Sequence, residues 1–306
     1  MKKVLVLMGG MSSEREISLL SGTNVANALT SVGYHVVIHD LTADIDSLIK
    51  TINSERPDVV FNSLHGKYGE DGCIQGLLNM LKIPYTHSGV LASSVGMDKE
   101  MTRQIVSKNG VSVPKGQLMT KAEFLKQSPI KPYVIKPNDE GSSVGVFIIE
   151  NKDDKELLLQ SWPFGGAFVM MEEYIAGREL SVAVMGDQVL GIVELVPKAG
   201  FYNYANKYTD GCTEHLIPAP LPPEYAQKIS HYALKAHQVL GCKGVSRTDF
   251  RYDDLNKKKE PHIVALELNN QPGMTKLSLV PEIAKSVGIS YKDVVSFLIE
   301  EATWES

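Results

Sequence analysis

The sequence contains few cysteines, and their arrangement excludes the roles that cysteine usually plays in extracellular or metal-binding domains. Only three cysteines occur among 306 residues, at positions 73, 212 and 242, and no two of them form a CxxC pair. An odd number of widely spaced thiols argues against a disulfide framework and against a zinc knuckle. We therefore expect reduced thiols that pack as small apolar side chains in a cytoplasmic protein.

A surplus of basic residues and a long hydrophobic segment are also missing. Lysine and arginine total 31 against 36 aspartate and glutamate residues, so the net charge is 31 − 36 = −5. This balance offers no electrostatic surface for nucleic acid or for anionic lipid. The longest apolar run near the start, Val4 to Met8, is too short for a signal-peptide core or a membrane span. We expect neither nucleic acid nor a membrane as a partner.

The first ninety residues alternate short apolar runs with helical patterns. A chain of 306 residues exceeds one typical hydrophobic core, which predicts two or three packed units. The run KVLVLM before Gly9 is typical of a buried parallel strand, and similar runs follow, so this part predicts an open α/β unit. Ser12 or Ser13 is expected to cap the first helix, and Gly33 to end it. Two polar loops, GGMSSERE and HGKYGEDG, follow strands at the edge where ligands usually bind.

From Met97 onward the pattern changes to longer strands typical of antiparallel sheets. The stretch VIKPNDEGSSVGV, residues 134–146, predicts a hairpin whose tip is rich in glycine and serine. We predict an α/β unit over 1–94 followed by two α+β units over 95–176 and 177–306.

Two predicted strands near the end of the chain carry charged side chains among apolar ones. In GVSRTDFRYD, Arg247 and Asp249 share one face, and in HIVALELNN strict alternation places Glu267 and Asn269 on the same face as Ala265. A buried carboxylate is costly unless it is paired or bound to a metal. Asp249, Glu267 and Asn269 would supply the oxygen ligands that magnesium takes beside nucleotide phosphates. Solvated acidic residues or an Arg247–Glu267 ion pair fit the same pattern.

The glycine-serine stretch matches neither of the two common phosphate-binding motifs, because it lacks both GK[ST] and GxGxxG. Gly141 and Gly145 allow close backbone approach, Ser142 and Ser143 add hydroxyl groups, and Lys136 supplies a positive charge. The stretch is therefore compatible with a loop over phosphate oxygens and with a mobile hairpin that binds nothing.

Seven motifs, taken in order, resemble those of the D-alanine–D-alanine ligases of the ATP-grasp superfamily over essentially the whole chain. They are GGMSSEREISLLSG (9–22), LHGKYGEDGCIQG (64–76), MDK (97–99), KPNDEGSSVGV (136–146), YNYANKY (202–208), SRTDF (246–250) and ELNNQPGMTKLSLVP (267–281). The resemblance implies a three-domain ATP-grasp architecture, with the glycine-serine stretch as a flap over ATP.

The resemblance also implies the reaction and its participants. ATP would phosphorylate the carboxylate of one D-alanine, and the amine of a second D-alanine would displace phosphate to give D-alanyl-D-alanine for peptidoglycan precursors. Magnesium or manganese would bind together with ATP, and whether a monovalent cation is also needed is left open. The resemblance further implies a homodimer in the cytoplasm.

By the same resemblance, the site residues fall into groups with different partners. ATP would be contacted by Lys99, Lys136, Ser143, Glu172, Ile175, Glu179 and Lys207. The metal ions would be held by Asp249, Glu267 and Asn269. The first D-alanine would bind at Glu14, which Ser142 links to Tyr208, and would have His65 nearby. The oxyanion hole would consist of Arg247 and the amide of Gly273, and the second D-alanine would bind at Ser278 and the amide of Leu279.

One departure from the family pattern and several rival functions qualify this interpretation. Glu173 stands where relatives usually have a lysine at the adenine edge, so a hydrogen-bond donor is missing there. The nearest rival is an ATP-grasp ligase that joins D-alanine to D-lactate or D-serine. A catalytically idle nucleotide-binding regulator is disfavoured because ATP affinity alone needs no oxyanion hole. A Rossmann oxidoreductase is disfavoured because the dinucleotide glycine pattern is absent.

Overall fold

The computed structural model describes residues 2–127, 132–140, 145–198, 212–256, 259–275 and 277–305. Four of the predicted site residues, Ser142, Ser143, Lys207 and Tyr208, lie outside these ranges. Within the described ranges, no helix has the length and apolar character needed to cross a membrane.

The first part of the chain folds into a parallel sheet covered by helices, as the alternating pattern predicted. Its strands β1 (Lys3–Gly9), β2 (His35–Leu41) and β3 (Val59–Asn62) lie in the order β2-β1-β3. The helices of this part are α1 (Arg15–Ser31), α2 (Ile45–Glu55), α3 (Cys73–Met80) and α4 (Val90–Met97). The central strand β1 is apolar on both faces because both of them are covered, and Val4 to Leu7 have no exposed surface.

The predicted cap of α1 was wrong, although its predicted end is confirmed. Glu14 occupies the N-cap position, and its side chain makes no capping hydrogen bond. Ser12 instead links two loops: its hydroxyl donates to the His65 carbonyl at 2.6 Å and accepts from the Glu14 amide at 3.2 Å. Gly33 follows the end of the helix with φ of +94°.

The second sheet is antiparallel and is built around its own small core. Its strands are β4 (Gly116–Met119), β5 (Tyr133–Pro137), β6 (Phe147–Ile149) and β7 (Val169–Glu173), in the order β4-β7-β5-β6. Helices α6 (Lys121–Lys126) and α7 (Lys152–Ser161) pack in this core. Helix α5 (Lys99–Lys108), which precedes the sheet, contributes Val106 to a different core. Strands β5 and β6 flank the glycine-serine stretch, as the sequence predicted.

The third sheet is the largest, and its two faces carry different side chains. Its strands are β8 (Arg178–Met185), β9 (Gln188–Pro197), β10 (Thr213–Leu216), β11 (Val245–Asp253) and β12 (His262–Asn269), in the order β10-β9-β8-β11-β12. Helices α8 (Pro223–Val239), α9 (Leu279–Ser286) and α10 (Tyr291–Glu300) complete this part. Phe250 and Tyr252 pack with α8 in a core on one face, while Arg247, Asp249 and Arg251 alternate with them and point to the opposite face.

Strand β12 contains a β-bulge that the strict alternation did not predict. Asp249 pairs with Glu267 and the next residue, Phe250, pairs with Ala265, so Leu266 is an extra residue in the ladder. The predicted sharing of a face by Glu267 and Ala265 was therefore wrong, because Ala265 packs in the core with Phe250. The bulge brings Glu267 to the face of Asp249 instead.

The first and third sheets share one hydrophobic core, and the end of the chain returns to the first sheet. Val4 and Val6 of β1 belong to the same buried cluster as Ile283 of α9. Tyr85, beside β3, exchanges two backbone hydrogen bonds with Thr303, at 3.1 and 3.3 Å. A shared core does not mark where one unit ends and the next begins. The division into units 1–94, 95–176 and 177–306 therefore remains a prediction.

Candidate active site

Two clefts open beside the charged face of the third sheet and meet at three residues. The first cleft, of about 920 Å³, lies between the loops after β1 and β3 and the segment that follows β12. The second cleft, of about 770 Å³, lies between the second and third sheets. Lys99, Glu140 and Glu267 line both clefts. A group bound in one cleft would therefore reach a group bound in the other.

Every predicted site residue that the structure describes lines at least one of these clefts. The first cleft is lined by Glu14, His65, Lys99, Arg247, Glu267, Asn269, Gly273, Ser278 and Leu279. The second cleft is lined by Lys99, Lys136, Glu172, Ile175, Glu179, Asp249 and Glu267.

One wall of the first cleft is formed by the loops after β1 and β3. It carries two buried ionisable side chains that interact, the Glu14 carboxylate and the His65 imidazole. The Glu14 side chain is buried at the start of α1, where it can receive a positively charged group. His65 Nδ1 donates to the Glu70 carboxylate at 2.9 Å, and its Nε2 lies 3.2 Å from the Ser21 hydroxyl. Burial lowers the pKa of His65, but the hydrogen bond and charge of Glu70, with the charge of Glu14, outweigh it and leave the pKa raised.

The opposite wall is formed by the segment between β12 and α9, which two buried amides attach to the first part of the chain. Gln271 accepts from Asn62 Nδ2 at 3.0 Å and donates to the Leu64 carbonyl at 2.6 Å. Neither amide was predicted as a site residue, because nothing in one sequence indicates a contact across 209 residues. Ser278 occupies the N-cap position of α9, but its hydroxyl accepts from the Thr275 amide at 2.9 Å instead of capping the helix.

The oxygen ligands predicted for a metal lie on paired residues of β11 and β12. Arg247 donates to both oxygens of Asp249, at 2.8 and 2.9 Å, and the Ser181 hydroxyl donates at 2.5 Å. Asp249 is the direct cross-strand partner of Glu267, and Arg247 is that of Asn269. The alternative of an Arg247–Glu267 ion pair is wrong, because Arg247 pairs with Asp249 instead.

This donor set fits magnesium or manganese when phosphate oxygens complete it. The described residues include no cluster of three or more His, Cys, Asp or Glu side chains that would hold a metal alone. Two carboxylates and one amide oxygen nevertheless form the hard-oxygen environment that these cations take, with the remaining positions left to a substrate.

The second cleft has two lysines at the end where it joins the first. Lys136 and Glu172 form a buried ion pair, with 2.6 Å between Nζ and Oε1. Lys99 donates to the Glu140 carbonyl. Burial lowers the pKa of Lys99, the charge of Lys136 lowers it further, and the charge of Glu267 acts in the opposite direction. Two neighbouring lysines make this junction suitable for a polyanion such as a triphosphate.

The other end of the second cleft is formed by the segment between β7 and β8. Glu173 lies here, and its carboxylate accepts from the Lys115 amide at 2.9 Å. Ile175 and Glu179 follow, together with Arg251 of β11, for which the sequence suggested no role.

Comparisons with known proteins agree with this geometry. A family profile described as D-ala D-ala ligase C-terminus matches residues 91–300, and one described as D-ala D-ala ligase N-terminus matches residues 44–88. The chain is 47% identical to the D-alanine–D-alanine ligase of Paramagnetospirillum magneticum, with 98% of each chain covered. It is 48% identical to that of Zymomonas mobilis, with 99% of this chain and 95% of the relative covered.

Two solved structures are similar over nearly their whole length. Both are crystal structures of D-alanine–D-alanine ligase from Bacillus anthracis, and they cover 98% of this chain and 97% of theirs. One has a TM-score of 0.84 at 32% identity, and the other, complexed with ATP, has a TM-score of 0.82 at 29% identity.

Proposed function

Because the chain belongs to the D-alanine–D-alanine ligase family and has its ATP-grasp fold, we propose that it joins two molecules of D-alanine and converts ATP to ADP and phosphate. The observation that carries this proposal is that Lys99, Glu140 and Glu267 line both clefts. ATP in the second cleft would place its terminal phosphate where an amino acid in the first cleft presents its carboxylate.

The reaction has two steps that this junction would accommodate. A carboxylate oxygen of the first D-alanine attacks the terminal phosphorus of ATP, ADP leaves, and D-alanyl phosphate forms. The unprotonated amine of the second D-alanine then attacks the carbonyl carbon, phosphate leaves, and the peptide bond is complete.

The residues of the first cleft would bind and orient both amino acids. Glu14 would accept hydrogen bonds from the ammonium group of the first D-alanine. Arg247 and the Gly273 amide would donate to the oxygen that becomes negatively charged in the tetrahedral intermediate. Ser278 and the Leu279 amide, at the start of α9, would bind the carboxylate of the second D-alanine, where the helix dipole favours an anion.

The residues of the second cleft would bind ATP. Lys99 and Lys136 would contact its phosphates, Glu172 and the backbone at Ile175 would face adenine, and Glu179 would accept from the ribose hydroxyls. Asp249, Glu267 and Asn269 are the residues proposed for magnesium or manganese, which would neutralise charge on the phosphate oxygens.

Further predictions from the family resemblance remain part of the proposal. They are the roles of Ser142, Ser143, Lys207 and Tyr208, the place of His65 near the first D-alanine, a monovalent cation, a homodimer and a cytoplasmic location.

The experiment that tests the proposal measures ADP release by the purified protein with ATP and magnesium. D-Alanine alone should release ADP in a 1:1 ratio to D-alanyl-D-alanine, and added D-lactate should give little ester near neutral pH. Equal formation of ester and dipeptide, or a clear preference for D-serine, would assign the chain to another ligase. ATP binding without any ADP release would favour the alternative of a catalytically inactive, nucleotide-binding regulator.

A further inference from the structure

The Arg251 side chain of β11 contacts the segment between β7 and β8 at more than one point. Each of its three guanidinium nitrogens donates a hydrogen bond to a different group of that segment or of the strand after it. Nε lies 3.0 Å from the Ile175 carbonyl, Nη2 lies 2.9 Å from the Gly177 carbonyl, and Nη1 lies 3.2 Å from Glu179 Oε2. The contacts are sheltered from water, since the Arg251 side chain is only 11% exposed.

The backbone of the segment lies directly against β11, so the contacts of Arg251 act on a close-packed structure. Gly177 has φ of +88°, and a Cβ atom there would lie 2.3 Å from the Tyr252 carbonyl oxygen. Arg251 and Glu179 are direct cross-strand partners of β11 and β8. At the start of the segment, the Tyr174 amide donates to the Pro132 carbonyl at 3.2 Å. The segment is thus fixed at both ends and in the middle.

The groups that Arg251 holds belong to the wall of the second cleft. Ile175 and Glu179 both line this cleft, as does Arg251 itself. We propose that Arg251 is a positioning residue for nucleotide recognition, which fixes the Ile175 backbone and the Glu179 carboxylate in the orientation that the base and the ribose require. The inference rests on the proposed function, which places adenine at Ile175 and the ribose hydroxyls at Glu179.

The shape of the guanidinium group explains why arginine suits this position. Its donors lie in one plane and point in fixed directions, so one side chain can bind two carbonyls and a carboxylate together. A lysine would keep the charge next to Glu179 but would lose the fixed directions. A methionine would fill a similar volume and would leave all three acceptors without this donor.

The test compares ATP with its 2′-deoxy and 3′-deoxy analogues in the wild type, Arg251→Met, Arg251→Lys and Glu179→Gln. Arg178→Met is the matched control, because Arg178 is the first residue of β8 and, like Arg251, binds a carboxylate, that of Glu194, at 2.5 Å. It lies outside both clefts. The readouts are kcat and KM for each nucleotide at saturating D-alanine, with thermal unfolding as a check on folding.

We expect Arg251→Met to raise the KM for ATP by about tenfold or more while kcat stays within about twofold, because binding is lost equally in the ground and transition states. Its preference for ATP over the deoxy analogues should fall to that of Glu179→Gln. Arg251→Lys should fall between the wild type and Arg251→Met. The KM for D-alanine and all constants of Arg178→Met should stay near wild type.

The outcomes separate the inference from the proposed function. If Glu179→Gln loses the preference for ATP while Arg251→Met keeps both the preference and the KM, the inference is wrong and the ribose assignment stands. If Glu179→Gln keeps the wild-type preference, the ribose assignment is wrong and the inference fails with it. If Arg178→Met reproduces the effect of Arg251→Met, the effect is general damage to the sheet edge, which also overturns the inference.

Discussion

At the scale of single residues, Glu267 has a central position, because it belongs to a charged strand and faces both clefts. It lines both clefts and is the cross-strand partner of Asp249. We predict that Glu267→Gln lowers kcat by about 100-fold or more, because a neutral amide is a weaker ligand for a cation at the transferring phosphate. The measurement is ADP release at saturating magnesium.

Glu194→Gln is the control for this prediction. Glu194 is also buried in the third sheet, but it binds Arg178 and lines neither cleft. It should keep turnover within about twofold. Wild-type turnover in Glu267→Gln would remove Glu267 from the metal site.

Glu173 permits a test of base recognition. Its carboxylate accepts from the Lys115 amide and brings a negative charge to the end of the second cleft. Glu173→Lys would provide a donor at the adenine edge, and we expect it to tighten ATP binding by up to about tenfold or to increase the preference for ATP over GTP. Calorimetric titration with both nucleotides measures this. Unchanged affinity for both would mean that position 173 does not reach the base.

The His65–Glu70 pair predicts how stability depends on pH. The folded-state pKa of His65 is raised, so its contribution to stability is fully present below the ordinary histidine value of about 6.5. The contribution disappears as the pH rises through the folded-state pKa. Glu70→Gln removes the charge that favours protonated His65, so the loss in free energy of unfolding relative to wild type should be larger near pH 6 than near pH 9.

Urea denaturation at the two pH values measures this difference. Glu55→Gln is the control, because Glu55 binds Lys3 in a partly exposed pair with no histidine partner, and the effect of this substitution should be the same at both pH values. A loss of equal size at both pH values in Glu70→Gln would mean that His65 is neutral throughout.

At the scale of elements, the bulge in β12 can be removed without disturbing the pairing around it. Glu267 and Ala265 already face consecutive residues of β11, so deletion of Leu266 would leave both ends of the ladder in register. We expect this deletion variant to fold but to have a higher KM for ATP, since Leu266 lines the second cleft. Deletion of Val264 instead would shift Ile263 out of the core and should prevent folding. Circular dichroism and ATP titration distinguish the two.

The bulge also shows which features the sequence could predict. Hydrophobic periodicity predicted most strands of the three sheets but missed the short strands β4 and β10. Polar residues on apolar strands predicted Asp249 and Glu267 as site residues. A period of two cannot reveal where an extra residue enters a strand, so Leu266 was missed. The Lys136–Glu172 and Arg251–Glu179 pairs were also missed, because one sequence does not show which strands become neighbours.

At the scale of the whole molecule, the last residues complete the first sheet. Trp304 packs against the core beneath β1, and the Glu305 side chain accepts from the Val90 amide at 3.1 Å. We predict that Trp304→Ala lowers the free energy of unfolding by roughly 2 kcal/mol without changing the KM for ATP, since Trp304 is partly buried and lines neither cleft.

Chemical denaturation measures the change, and Phe168→Ala is the control. Phe168 is an aromatic residue of the second part of the chain that is 53% exposed, and its loss should cost much less. Equal losses in the two variants would mean that residues 303–305 contribute little to the first sheet.

The pairing of Tyr85 with Thr303 also determines the order in which the parts can be finished during synthesis on a ribosome. The parallel sheet is made first, but its final neighbour lies 303 − 85 = 218 residues later. At a translation rate of about 5–20 residues per second, that interval lasts roughly 10–40 seconds. For most of it, Val4 and Val6 lack the cover of α9 and α10, which are made only near its end. The parallel sheet is therefore completed only after the strands of the other two sheets have been made, and its apolar surface is available to chaperones in the meantime.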